Sequence, residues 1–302
     1  VVWFVSVAAR LVMVWRGSTV LGFAIFALAE WAATYGVVWL LFRQRSGHVP
    51  LNFSRERLSA WAREGWPAFV MVLVGATANR VMVVVVQHLA TNEAAGYLSA
   101  ALRVTEVWWS FSAIFASILL PRLVTIRRNN LARFQTANQT YADLSFLIGL
   151  VAALGITLLA PLLVPLLFGA AYVPTTPVLV ILFWSGPAIY PGVARTQLFV
   201  LRGRLRYDLV VVSAIALTSI CLVFLLVPRW GAIGAAAAMC ASQWIGIYLV
   251  PSLLPRLRRL SHPQWKAFGA PFRLRKVFFD VPALVQADPA PPRRTTFGGK
   301  ST

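Results

Sequence analysis

The sequence predicts an all-α polytopic membrane protein, and three observations carry that expectation. Of the 302 residues, 59% are hydrophobic and only 12% are charged, against about 25% charged in soluble domains; the mean hydropathy is +0.73. The apolar residues fall in blocks of about 20, the length that crosses about 30 Å of hydrocarbon as a helix, whereas a barrel strand alternates over about ten residues. Between the blocks, loops rich in Arg alternate with loops that carry almost none, as expected of a chain that crosses a bilayer repeatedly.

Eight spans are expected. The first, Val1–Trp15, is short and interrupted by Arg10. It is followed by Val20–Phe42, Trp66–Leu89, Leu98–Leu120, Tyr141–Leu167, Val178–Val200, Leu209–Val227 and Ala232–Leu254. The connection after the second span holds Arg43, Arg45, Arg55, Arg57 and Arg63, and the next, "ATNEAAGY", has no cation. Arg127, Arg128 and Arg133 follow, then the uncharged "FGAAYVPTTP", then Arg202, Arg204 and Arg206, then Arg229 alone, and the tail opens with Arg256, Arg258 and Arg259. The positive-inside rule puts the basic loops, the tail and both termini in the cytoplasm. "RGST" fits least well, because it would leave Arg16 outside. Residues 43–65 read as a basic amphipathic connector, 66–254 as a six-helix bundle and 255–302 as a basic tail. Within "LNFSRERLSAWAREGW", Asn52 or Ser54 is a helix cap. This stretch and "QWKAFGAPFRLRKVFF" each read either as an interfacial helix or as a solvated connector. Ala283–Thr302 has the composition of a disordered tail. Pro161 and Pro165 are expected to kink or interrupt the fifth span, and "GAIGAAAA" to allow close helix packing.

The net charge is +19. In a soluble protein that would point to nucleic acid; here loop Arg residues orient spans and meet anionic lipid heads, so the partner is the bilayer and no nucleic acid is expected. Cys221 and Cys240 lie in apolar runs and the three His are scattered, so no metal or cofactor is expected. No phosphate loop, HExxH or GxSxG occurs, and no carboxylate pair at helical spacing lies inside a span. These absences argue against an enzyme. The abrupt apolar start at Val1 leads to the expectation that N-terminal sequence is missing.

The remaining chemistry is a small set of intramembrane polar residues, which are costly and usually face a bundle interior or a wet cavity. Arg80 lies about 14 Å from the end of its span at Leu89, and Glu106 about 12 Å from Leu98 on the next. Arg103 shares a helix face with Glu106. The matched depths lead to an expected Arg80–Glu106–Arg103 cluster, either as a structural ion pair with a snorkelling partner or as part of a binding site. Arg195, near the basic end of its span, either snorkels or contributes positive charge. Glu30, near mid-span, is a candidate proton or ion site.

Three stretches, "NEAAGYLSAALRVTEVWWSFSAIFASILLPRL", "LAPLLVPLLFGAAYVPTTPVLVIL" and "LRGRLRYDLVVV…LVPRWGAIGAAAAM", resemble in order and spacing the oligosaccharide (Wzx-type) flippases. These form the polysaccharide-export branch of the multidrug/oligosaccharidyl-lipid/polysaccharide exporter superfamily. The resemblance implies two six-helix bundles, of which 1–42 would supply the last two helices of the first. It implies flipping of an undecaprenyl-diphosphate-linked oligosaccharide across the bacterial inner membrane, by alternating access through a cationic cavity and without ATP hydrolysis. Polysaccharide polymerases and glycosyltransferases would be functional partners. Arg80, Asn79, Arg103, Glu106 and Arg195 would meet the substrate. Many relatives carry an Asp where Asn79 stands, so an ion-coupling role at that position is in question. A small-molecule or drug antiporter of the same superfamily, a membrane glycosyltransferase or polymerase, and an inactive or scaffolding fragment are the alternatives.

Overall fold

The computed structural model describes residues 2–17, 19–46, 54–201, 203, 205–254, 263–275, 277 and 279–280. Among them there are helices and no strand. Six helical stretches are long and apolar enough to cross a membrane: Leu21–Arg45, Arg55–Leu89, Asn92–Asn129, Leu131–Phe168, Thr175–Val200 and Leu205–Leu253. The chain is therefore an all-α, multi-pass membrane protein. It divides into two compact units, Val1–Arg63 and Glu64–Thr302.

The first unit contains α1 (Val2–Trp15) and α2 (Val20–Ser46). Helix α1 has 14 residues, about 21 Å of rise, which is short of the hydrocarbon thickness. Helix α3 (Arg55–Leu89) starts in this unit and continues into the second. The basic stretch Arg55–Arg63 is thus no separate interfacial helix. It is the first two turns and more of the third span, with Leu58 and Trp61 exposed. A cap at Asn52, the cations Arg202, Arg204, Arg256, Arg258 and Arg259, and the tail Ala283–Thr302 lie outside the described residues.

The second unit adds α4 (Asn92–Asn129), α5 (Leu131–Phe168), α6 (Thr175–Phe183), α7 (Gly186–Leu201) and α8 (Leu205–Trp244). A π turn (Ile245–Leu249), α9 (Val250–Leu253) and a 3₁₀ turn (Ala270–Arg273) follow. Thr91 caps α4, its hydroxyl accepting from the Ala94 amide at 3.1 Å. Asn130 is both the last cap of α4 and the first of α5, its side chain accepting from the Arg133 amide at 3.0 Å. The sixth span breaks between α6 and α7 at Trp184 and Ser185. Of the two expectations at Pro161 and Pro165, a kink or an interruption, the helix is not interrupted: α5 runs through both.

The last stretch, 49 residues long, would measure about 74 Å as a straight rod. It turns back instead at Gly231, whose backbone (φ 52°, ψ −128°) lies where glycine alone is at ease. Gly246 then meets Ile215 so closely that a Cβ would sit 2.0 Å from Ile215 Cγ1. The stretch is therefore a helical hairpin that supplies two passes, the seventh and eighth spans expected from sequence. Just past its tip, Ala235, Ala236 and Ala238 of "GAIGAAAA" are fully buried. Small residues of this kind let helices approach where lipid offers no hydrophobic drive for association.

The larger core joins Met82 and Val86 of α3 to Leu98 and Leu102 of α4, Val164 of α5, Leu182 of α6 and Val223 and Val227 of α8. A second core, around Leu123, Tyr141 and Leu198, binds α4, α5 and α7. Val151, Leu158, Leu162 and Leu166 stand exposed on one face of α5, at the helical spacing of a stripe turned to lipid.

Candidate functional site

Inside the second unit lies a cavity of about 450 Å³, lined by α3, α4, α7, α8 and the π turn. Its polar wall is built from Asn79, Ser112, Arg195, Thr196 and Asp208, with Ser219, Ser242 and Gln243 around it. Two of the expected residues, Asn79 and Arg195, therefore share one chamber although 116 positions separate them.

Arg195, on α7, is only 4% exposed. Its Nη2 pairs with Asp208 Oδ1 at 3.4 Å. Its Nη1 donates to the Ile247 carbonyl at 3.0 Å and to Gln264 Oε1 at 3.3 Å. The guanidinium also lies 5.7 Å from the Phe199 ring centre. Asp208 sits in the first turn of α8, where the helix dipole favours an anion. Its second oxygen accepts from Thr196 Oγ1 at 2.5 Å. Arg195 does not snorkel, because Asp208 is close enough to hold its charge inside the protein.

Among the described residues, two buried donors that line the cavity have no hydrogen-bond partner: Arg195 Nε and Trp109 Nε1. An unsatisfied buried donor costs about 1–3 kcal/mol, so both would gain from an acceptor oxygen within the chamber. With Arg195 offset by Asp208, the chamber is not strongly cationic; most of its lining is apolar, with a polar patch around Arg195 and Thr196. That patch suits hydroxyls and phosphoryl oxygens. An apolar groove of about 490 Å³ between α3 and α8, lined by Leu73, Val81, Val85, Ile220 and Phe224 among others, adjoins it. The two share the lining residues Val74, Ala78, Met82 and Ala216, so a cavity with a polar patch lies beside an apolar groove.

The expected Arg80–Glu106–Arg103 cluster does not form. Among the described residues no ion pair or hydrogen bond joins their side chains; Arg80 and Arg103 are exposed and Glu106 is half-buried. The reason is helix rotation. Met82 and Val86 are the inward stripe of α3, and Arg80 is about 200° around the helix from Met82 at 100° per residue. On α4 the inward positions include Leu98, Leu102 and Thr105, which turns Arg103 to the open side and leaves Glu106 at the margin of the inward face. In the first unit, Glu30 forms an ion pair with Arg10. A carboxylate already matched by a guanidinium is a poorer ion site than the bare Glu30 expected from sequence.

Asp208, Thr196 and Gln264 are the site residues that sequence reading passed over. Asp208 looked like an ordinary charge at the end of a span. The usable signal was its position, thirteen residues after Arg195 across the "RGRLRY" turn, which places the two at one end of adjacent helices.

A family model described as a polysaccharide biosynthesis protein matches residues 1–177. Asn79, Trp109 and Ser112 fall inside the matched region, and Arg195 and Asp208 lie beyond it. No curated protein and no solved structure matches the chain.

Proposed function

The chain belongs to the polysaccharide biosynthesis protein family, and from that premise we propose that it flips a lipid-linked oligosaccharide across a membrane for polysaccharide export. The observation that carries this reading is the polar patch of Asn79, Trp109 and Arg195 in a cavity of the second unit that lies beside an apolar groove. A polyprenyl-diphosphate-linked sugar has the same two-part chemistry. Its hydroxyls and phosphoryl oxygens match Asn79, Trp109 Nε1 and Arg195 Nε, and its aliphatic chain matches the groove between α3 and α8. Arg80 and Arg103, on the open surface of the unit, would draw the diphosphate by charge, with Glu106 three residues beyond Arg103 on α4.

The movement would proceed by alternating access and involve no covalent step, so the protein would be a transporter and not an enzyme. With no nucleotide-binding motif in the sequence, an ion gradient would drive it. The membrane would be the bacterial inner membrane, with the C-terminal tail in the cytoplasm beside the basic loops. Glycosyltransferases would supply the substrate and a polymerase would consume it. A drug antiporter for cationic compounds would want an uncompensated acid in the chamber, and the pairing of Asp208 with Arg195 favours the flippase reading over it.

The test is transbilayer movement of a fluorescent polyprenyl-diphosphate oligosaccharide in proteoliposomes carrying the chain, without ATP. The expected result is loss of fluorescence to a quencher added outside, faster than in protein-free vesicles. Equal rates in the two preparations would count against the proposal.

A further inference from the structure

Residues 263–275 lie against the first half of α5, the middle of α7 and Ser252 of α9, and they are fastened there on their inner side. Gln139 Nε2 donates to the Pro263 carbonyl at 3.0 Å. Trp265 Nε1 donates to Ser252 Oγ at 2.7 Å, and Arg273 pairs with Asp143 at 3.6 Å. Ala267 and Ala270 are fully buried against Ala142, Phe146 and Leu147 of α5. Gln264 reaches furthest in and is 3% exposed. Its Nε2 donates to the Pro191 carbonyl at 2.8 Å, and its Oε1 accepts from Arg195.

The outer side is of another character. Phe272 is 93% exposed; Trp265 and Leu274 are exposed, and so are Lys266 and Arg275. Phe279, just beyond, is exposed and lies under the Arg275 guanidinium, 6.0 Å from ring centre to carbon. No acid occurs from 263 to 275. Open aromatic rings among cations with no anion are poorly suited to water. They match the boundary of a bilayer, where rings sit at headgroup depth and Lys or Arg meet phosphate. The α4–α5 joint, at the start of α5, carries Arg127, Arg128 and Arg133.

We propose that residues 263–275 are a strap whose outer face binds anionic lipid headgroups, and that Gln264 transmits this attachment to Arg195. Gln264 is a positioning residue: it touches the guanidinium that lines the chamber and not the chamber itself. A strap pressed to an anionic surface holds Gln264 in its slot and keeps Arg195 aimed between Asp208 and the Ile247 carbonyl. A strap released from the surface frees one of the partners of Nη1. The inference stands on the strap's own contacts and does not require the flippase reading.

The test is hydrogen–deuterium exchange of the whole chain in nanodiscs of phosphatidylcholine alone or with phosphatidylglycerol. The expected result is several-fold slower exchange in 263–275 in the anionic discs. That difference should vanish at high salt and in the double variant Lys266→Glu/Arg275→Glu. The α7 amides around Arg195 should show a smaller slowing of the same sign, and in Gln264→Ala that response should disappear while the strap's own response persists. Equal strap exchange in the two disc types would overturn lipid binding. Protection that instead follows the number of protein copies per disc would identify a second chain as the occupant and also overturn it. An α7 response that survives in Gln264→Ala would overturn the transmission.

Discussion

Removing Asp208 exposes how the chamber is held together. In Asp208→Ala, Arg195 keeps its bonds to the Ile247 carbonyl and Gln264 Oε1 but loses the one anion paired with it among the described residues, at a site where the two side chains are 4% and 2% exposed. Thr196 suffers little, because its hydroxyl already reaches the Gly192 carbonyl at 3.2 Å. The cost therefore falls on the stranded guanidinium, and breaking a buried pair by deleting one partner typically costs about 3–5 kcal/mol. Deleting both partners in favour of apolar residues of similar volume is often neutral or stabilising. Arg195→Met/Asp208→Leu should thus recover most of the loss. The assay is a double-mutant cycle on unfolding in mixed micelles, read by the denaturing-detergent midpoint. The transport assay then separates stability from function: the double variant should fold yet fail to move the oligosaccharide, since it lacks Arg195. The reasoning is refuted if Asp208→Ala unfolds within about 1 kcal/mol of the parent, a loss far below that expected for an unpaired buried charge. It is equally refuted if the double variant is as unstable as the two single losses added.

Arg80→Ala, at an exposed position, should leave protein level and unfolding temperature unchanged while abolishing polysaccharide export in a complementation assay; normal export would remove Arg80 from the mechanism. Gly246→Ala should destabilise the α8 hairpin by about 1–3 kcal/mol through overpacking against Ile215, and Ile215→Ala in the same chain should restore the detergent midpoint. Asn130→Ala removes the cap shared by α4 and α5 and should cost about 1 kcal/mol, with faster amide exchange confined to the first turn of α5.

The passes were legible because each is an apolar block bounded by loops of contrasting charge, and even the hairpin at Gly231 could be read from "PRWG" between two such blocks. Orientation about each helix axis was not legible. Helix α3 is apolar on nearly every side between Pro67 and Val86, so nothing in its sequence distinguishes the face of Met82 from that of Arg80. The depth of Arg80 relative to Glu106 was therefore derived, and their facing was not. Asn79 enters only through the family resemblance, and depth along its span does not show that Arg195 shares its chamber. Asp208 stands at a span end, where a charge is ordinarily solvated. Only the packing of α7 on α8 shows that this one is not.

The α4–α5 joint also has a mechanical meaning. Each helix has 38 residues, about 57 Å of rod against about 30 Å of hydrocarbon, and Asn130 is the single residue between them. A hinge one residue long has no slack. The pair can tilt as a wedge or stay still, and neither arm can slide along the other. Any rocking of this bundle would carry both rods together, with the surplus length beyond the bilayer acting as the long end of a lever whose fulcrum lies in the membrane.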